Sequence, residues 1–319
     1  MMDALSLFLQ ITVQLGTPFL LAALGGMLCE KVGNLNLGIE GMMMMGAYFG
    51  FACGFTTENP FLAVIVGAIG GAGGALIYAV ITITLKGNQT VTGFAMAIFG
   101  AGIANFMGQR FSGQIMSTTV TSVLGPVEIP GLCKIPVLGK MIFSQSVFVY
   151  ISIIAAVVLF IYFKKTRFGL AARMVGENPA TADANGINVD LYKYVHVLIG
   201  GAFCGLGGAY LSLVYVPYWQ TNITAGMGWI AVALVIFSAW NPVRAIFSCY
   251  LFGLLKASAI KFQGTSFNIF GFKFTIASQI MDMLPYLLTI VVLVITAIVA
   301  KNRSVGPAGL GQAYFREDR

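Results

Sequence analysis

Apolar runs of about 20 residues, the length a helix needs to cross a bilayer's hydrocarbon core, follow one another along this chain with little between them. They cover roughly 5–28, 38–56, 61–85, 91–109, 146–163, 193–217, 227–240, 243–262 and 277–300. The run 227–240 is short, and 29–40 is an interrupted stretch with the composition to dip into the membrane itself. Backbone polar groups in lipid must be satisfied internally, and no series of alternating ten-residue strands is present, so the spans are expected to be helices. The expected fold is an all-α polytopic membrane protein of about 9 transmembrane helices (range about 8–10). It forms a single transmembrane domain over 1–319.

Composition agrees. Charged residues are 9% of the chain, against roughly 25% in a soluble domain, and the mean hydropathy is +0.88. Little length remains for a soluble catalytic domain. The first run begins almost at Met1, with no Lys or Arg before it and no small-residue cleavage site, and is expected to be a retained span. The five cysteines show neither CxxC nor Cys/His spacing, so packed free thiols are expected, with no metal site and no cofactor.

The net charge of +7 is explained by basic residues held on the cytoplasmic side, without nucleic acid. Placing 164–192 and the C-terminal tail inside puts Lys31, Lys86, Lys164, Lys165, Arg167, Arg173, Lys193, Arg244, Lys301, Arg303, Arg316 and Arg319 on that side. Only Arg110, Lys134, Lys140, Lys256, Lys261 and Lys273 then lie outside. The expected topology has the N-terminus outside and the C-terminus cytoplasmic. The external loop 110–145, with Pro126, Pro130 and Pro136, would cover the outer mouth.

Within the cytoplasmic loop, Asn178 suits a helix N-cap and Pro179 the first helical position. Gly186 can end that helix in a left-handed turn. A helix so short needs packing partners, and one at the membrane surface is the natural candidate. Glu177, Asp183 and Asp190 are expected on a solvated face.

Polar groups inside the apolar runs form the other signal. Gly33 to Gly41 reads GNLNLGIEG; its glycines weaken a helix, and Asn34 and Asn36 can bond the backbone groups freed at a break. Glu40 in a membrane segment marks either a pathway or a buried tie to a neighbour. Asn88, Gln89, Asn105 and the stretch Trp219–Asn222 are further candidates for a neutral, hydrogen-bonding, ring-containing solute. Trp219 and Tyr218 themselves are expected to be interfacial belt residues. His196 is expected to be a packed polar residue, and the pairs Gly67/Gly71 and Gly201/Gly205 to bring helices of this chain together. Asp282 is expected near an outer span end.

No phosphate-binding GxxxxGK[ST], HExxH or GxSxG motif occurs, so the chain does not read as an enzyme. Three stretches together resemble the permease subunits of ATP-binding-cassette (ABC) importers for branched-chain amino acids, ribose-type sugars and nucleosides. They are Gly33 to Gly41 with the Met run after it, Thr166 to Ile187, and Gly228 to Leu234 followed by Asn241-Pro242. The short length and the NLGIEG pattern look most like the smaller permease of a nucleoside importer. Ala239-Trp240 departs from the pattern, which has a glycine before Asn-Pro.

The resemblance implies a partner ATPase that hydrolyses ATP, a second permease in a heterodimer, and an extracytoplasmic solute-binding protein or lipoprotein, all at a bacterial inner membrane. It makes loop 164–192 the coupling loop, with Arg173, Gly176, Glu177, Asn178, Pro179, Asp183 and Gly186 facing the ATPase. Asn34, Asn36, Glu40, Asn88, Gln89 and Asn105 become the candidate solute pathway. A sugar or branched-chain amino acid permease is the near alternative. An ion-coupled secondary transporter is the distant one, and it would need several intramembrane acids and matched halves.

Overall fold

The computed structural model describes residues 2–128, 133, 138–263, 266–269, 272–275, 278–299 and 306–315. Lys134, Pro130, Pro136, Lys301, Arg303, Arg316 and Arg319 lie outside the described residues, as do the side chains of Lys273 and Asp282.

Helices stand at every expected apolar run. They are α1 (Met2–Lys31), α2 (Ile39–Thr57), α3 (Pro60–Ala79), α4 (Gln89–Gly108), and, after two short helices α5 (Thr118–Leu124) and α6 (Leu138–Phe143), α7 (Val147–Lys165). The polar loop carries α8 (Arg167–Glu177) and α9 (Pro179–Ala184). Then come α10 (Val189–Tyr210), α11 (Met227–Phe237), α12 (Pro242–Phe262) and α13 (Ser278–Val299). Among the described residues, six helical stretches are long and apolar enough to cross a bilayer, and α11 is a shorter apolar helix. Two short antiparallel strand pairs are also present, Pro126–Glu128 with Ser144–Ser146 and Ser266–Ile269 with Phe272–Thr275.

Small residues decide how closely the central helices approach. α10 packs chiefly on α3, α1 and α2. At the crossing with α3, a Cβ on Gly71 would overlap the Gly201 carbonyl and the Gly205 backbone. The expected glycine face therefore serves packing within the chain. α2 is buried nearly all round in its first half, and Met42 to Met45 fill the core there.

His196 is packed as expected, its Nε2 3.0 Å from the Tyr162 hydroxyl and its Nδ1 2.7 Å from the Tyr192 carbonyl. Trp219 corrects the belt expectation. Its ring is 1% exposed, seated on Gly108 and against Tyr48, while its neighbour Tyr218 stays exposed.

Candidate functional site

α1 ends where the sequence breaks. Gly33 takes a left-handed φ of 84°, its N–H bonds Glu30 O (2.9 Å) and the Asn34 N–H bonds Cys29 O (3.1 Å). That is a Schellman end, which needs glycine at the left-handed position. The chain then runs without regular structure to Ile39, and side chains supply what a helix would have supplied. Gln89 Oε1 accepts the Leu35 N–H (2.7 Å), and the Tyr78 hydroxyl donates to Leu35 O (2.7 Å). Asn36 Oδ1 accepts the Gly38 N–H (2.9 Å), and the Asn34 amide donates to Thr82 Oγ1 (3.4 Å). Asn34, Asn36 and Gln89 are all buried in these ties, while Asn88 caps α4 by accepting the Val91 N–H at 3.0 Å.

Glu40, in the first turn of α2, reaches across to the segment leading into α11. Its Oε1 accepts from the Thr224 hydroxyl (2.5 Å) and the Gly226 N–H (2.9 Å), and its Oε2 accepts the Gly228 N–H (2.6 Å). Met227 begins α11, so Gly226 and Gly228 flank the helix start. No side chain of α11's own N-cap, Gly226, can do this work. A helix start leaves N–H groups without intrahelical partners and carries partial positive charge, which a carboxylate answers on both counts. Asn36 stands ahead of α2, which begins only at Ile39.

A second buried carboxylate carries almost no sequence signal. Glu30 is 1% exposed, and its Oε2 accepts the Trp240 indole N–H at 2.6 Å. Trp240 stands where the resemblance leads one to expect glycine, and the backbone shows why glycine suits the place: Ala239 and Trp240 both have φ of 53°. Asn241 then caps α12 through the Val243 N–H (3.0 Å), with Pro242 at the first helical position. The indole–carboxylate bond holds the strained turn against α1.

The polar loop contains two helices. α8 went unforeseen because its buried positions Gly169, Ala172, Val175 and Gly176 are small and spaced among arginines. α9 follows expectation: Asn178 Oδ1 accepts the Thr181 N–H (3.0 Å), Pro179 leads, and Gly186 turns left-handed at φ 78°. The C-terminal residues 306–315 run along this loop. Gly309 N–H bonds Gly176 O (2.9 Å), Ala308 N–H bonds Glu177 Oε2 (3.1 Å), and the Tyr314 hydroxyl donates to Asp183 Oδ2 (2.9 Å). The same tail reaches the break, through Gly311 N–H to Gly33 O (3.1 Å) and the Gln89 amide to Gln312 O (3.3 Å). Gly306 lies against the Trp240 ring. Glu177 and Asp183 therefore hold the tail instead of facing only water, and Asp190 pairs with Lys86 at 3.3 Å. Arg173 lines a hollow with Lys31, Lys164 and Trp240.

Asn105 occupies different surroundings. Its amide donates to Asn222 Oδ1 (2.7 Å) and its oxygen accepts the Asn222 N–H (3.0 Å), on a face that is not buried. Among the described residues there is no cluster of three or more metal-ligating His, Cys, Asp or Glu.

Residues 8–297 match the family described as the branched-chain amino acid transport system permease component. The chain belongs to that family. It is 36% identical to TsgC13 of Haloferax volcanii, named as a candidate glucose ABC transporter permease, over 97% of each chain. It is 34% identical to the nucleoside ABC transporter permease NupC of Lactococcus lactis over 94% of each. Identity to the guanosine ABC transporter permease NupQ of Bacillus subtilis is also 34%, over 99% of this chain and 98% of the relative. In fold it resembles a chain of a candidate metal-chelate type ABC transporter solved inward-facing, with a TM-score of 0.51 at 11% identity, over 89% of this chain and 84% of that one. This family member is a multi-pass membrane protein and an ABC permease subunit, not an enzyme.

Proposed function

We propose that this permease forms the translocation pathway of an importer for nucleosides. It works beside a second, different permease, an ATP-hydrolysing cassette subunit and an external solute-binding protein. In this reading it lies in a bacterial inner membrane with α2, α11 and α13 also within the bilayer, making nine membrane helices. Its N-terminus is outside, 110–145 is external, and 164–192 and the tail are cytoplasmic. The basic residues Lys164, Lys165, Arg167 and Arg173, gathered at one end of the bundle, support that orientation.

One observation carries the coupling role: α9 is a capped, six-residue helix seated on its neighbours by the buried Ala182, with an open groove between Glu177–Ala180 and the tail. Glu177, Asn178 and Pro179 line that groove, Asp183 and Gly186 border the neighbouring hollow, and Arg173 lines a third; Gly176, expected to face the ATPase, is buried against Lys31 and would support the surface from beneath. The nucleoside assignment rests on NupC and NupQ; TsgC13 favours a sugar as the second reading. Of the pathway candidates, Asn105 would meet solute. Asn34, Asn36, Glu40, Asn88 and Gln89 would set the shape of the broken span beside it.

The test is uptake by the complete transporter in liposomes, with ATP inside and guanosine, cytidine, ribose and glucose compared outside. Saturable nucleoside uptake without glucose uptake is expected; the reverse would overturn the nucleoside assignment. Replacing the cap, Asn178→Ala with Pro179→Gly, removes about 1–2 kcal/mol of local stability. It should lower solute-stimulated ATP hydrolysis while the permease stays inserted. Wild-type stimulation and uptake in that variant would overturn the coupling role.

A further inference from the structure

The exposed helix faces of the bundle differ in kind. On α3 they are Phe61, Ile65, Ile69 and Leu76, and on α7 Ile151, Ile154, Val158 and Ile161. Such faces suit lipid tails. The face shared by α4 and the approach to α11 is different. Phe94, Ile98, Ala101 and Asn105 recur every three or four residues and so form one stripe along α4. Beside it, Phe94 meets Trp229 at 5.5 Å between ring centroids, with both rings partly exposed (48% and 37%). At the stripe's other end stands the reciprocal Asn105–Asn222 pair. Gly102, between them, has no neighbouring atom within 4 Å of where a side chain would begin.

An amide pair left open within the apolar stretch Gln89–Phe111 is unfavourable against lipid. The pair uses the nitrogen and the oxygen of the Asn105 amide once each but only the oxygen of the Asn222 side chain, so the Asn222 NH2 is left to donate elsewhere. Aromatic faces with a spare amide donor match a flat heterocycle that carries hydrogen-bond acceptors. We infer that Phe94, Trp229, Asn105 and Asn222 are this subunit's solute-contacting residues, with the base stacking on the ring pair and its polar groups meeting the amide pair. Eleven residues of helix separate the two stations by about 16 Å, so a nucleoside meets them in succession. The inference rests on the nucleoside reading for the identity of the ring; the face itself does not depend on it.

The experiment uses the complete transporter in liposomes and two measurements, subunit co-purification and concentration-dependent uptake. Wild-type uptake across nucleosides and sugars first identifies the solute, which tests the nucleoside reading separately. Phe94→Ala, Trp229→Ala and Asn105→Leu are then compared with Trp229→Phe and with Ile69→Ala on the lipid-type face. The alanine variants are expected to assemble normally and to need on the order of tenfold more solute for half-maximal uptake, the loss of one base–aromatic contact. Trp229→Phe should recover most of that loss, and Ile69→Ala should match wild type. Asn105→Leu is expected to reduce uptake without changing assembly. Wild-type uptake in all three variants would overturn the inference. So would loss of co-purification with unchanged uptake per assembled complex, because the face would then be a packing seam.

Discussion

Replacing Glu40 separates a structural carboxylate from a proton-carrying one. The side chain answers two backbone N–H groups and a hydroxyl at the start of α11. In Glu40→Leu the hydroxyl can rotate to another acceptor, but the Gly226 and Gly228 N–H groups cannot. Each buried donor left unpaired costs about 1–3 kcal/mol, so the expected loss is about 2–6 kcal/mol, and α11 should detach from α2 before the bundle melts. Glu40→Gln keeps one acceptor oxygen and turns an NH2 toward a donor. It should therefore lose about one such bond plus a helix-end charge term of roughly 0.3–2 kcal/mol. The order wild type, Gln, Leu should appear in thermal unfolding of the detergent-solubilised protein, followed by Trp fluorescence. Solute-stimulated ATP hydrolysis should fall in the same order. If Gln instead abolished uptake as fully as Leu while unfolding like wild type, the carboxylate would be acting as a titrating group and the capping argument would fail.

Three other outcomes are expected. Gly71→Ala should destabilise by about 1–3 kcal/mol because its Cβ meets the Gly201 carbonyl, whereas Gly73→Ala, with open space around it, should be neutral or gain up to about 1 kcal/mol of helix propensity; paired melting curves check this. Ala239→Gly should stabilise on the order of 1 kcal/mol by relieving a left-handed backbone, while Trp240→Phe should cost about 1.5–3 kcal/mol by leaving the Glu30 carboxylate unbonded, again read by thermal unfolding. Gln89→Leu removes both the Leu35 and the Gln312 bonds and should loosen the tail, seen as faster amide exchange or proteolysis over 306–315, with α4 still folded.

What the sequence makes legible follows its physics. Length and apolar composition fix helices at every expected run, and local capping chemistry fixes α9 and the break at Gly33, because those signals lie within a few residues of their effect. Partners far apart in sequence stay hidden. Nothing near Glu40 points to Gly226 and Gly228, nothing near Glu30 points to Trp240, and nothing near Glu177 or Asp183 points to the tail. α8 is hidden for another reason: apart from Val175, its buried face is Gly and Ala, which contribute little to an apolar pattern. Polar residues within spans were readable as important, but their sorting into ties and an open face required the neighbours.

The neighbours also show how the two ends of the bundle are linked. From α9, Asp183 holds Tyr314, and the same tail strand bonds Gly176, Gly33 and Gln89. Gln89 is the first residue of α4, so the tail touches the helix that carries Phe94 and Asn105. Gly33 opens the break that leads to α2, and Glu40 on α2 grips the start of α11, which carries Trp229. Both walls of the open face therefore trace back to the polar loop through a series of hydrogen-bonded steps, some buried and some at the surface. Buried hydrogen-bonded groups resist stretching because separation leaves them unsatisfied in a low-dielectric interior. In the proposed transporter, a push on α9 would shift the two walls together or apart according to which of these bonds holds. Gln89 and Glu40 are the two side chains on which that choice turns.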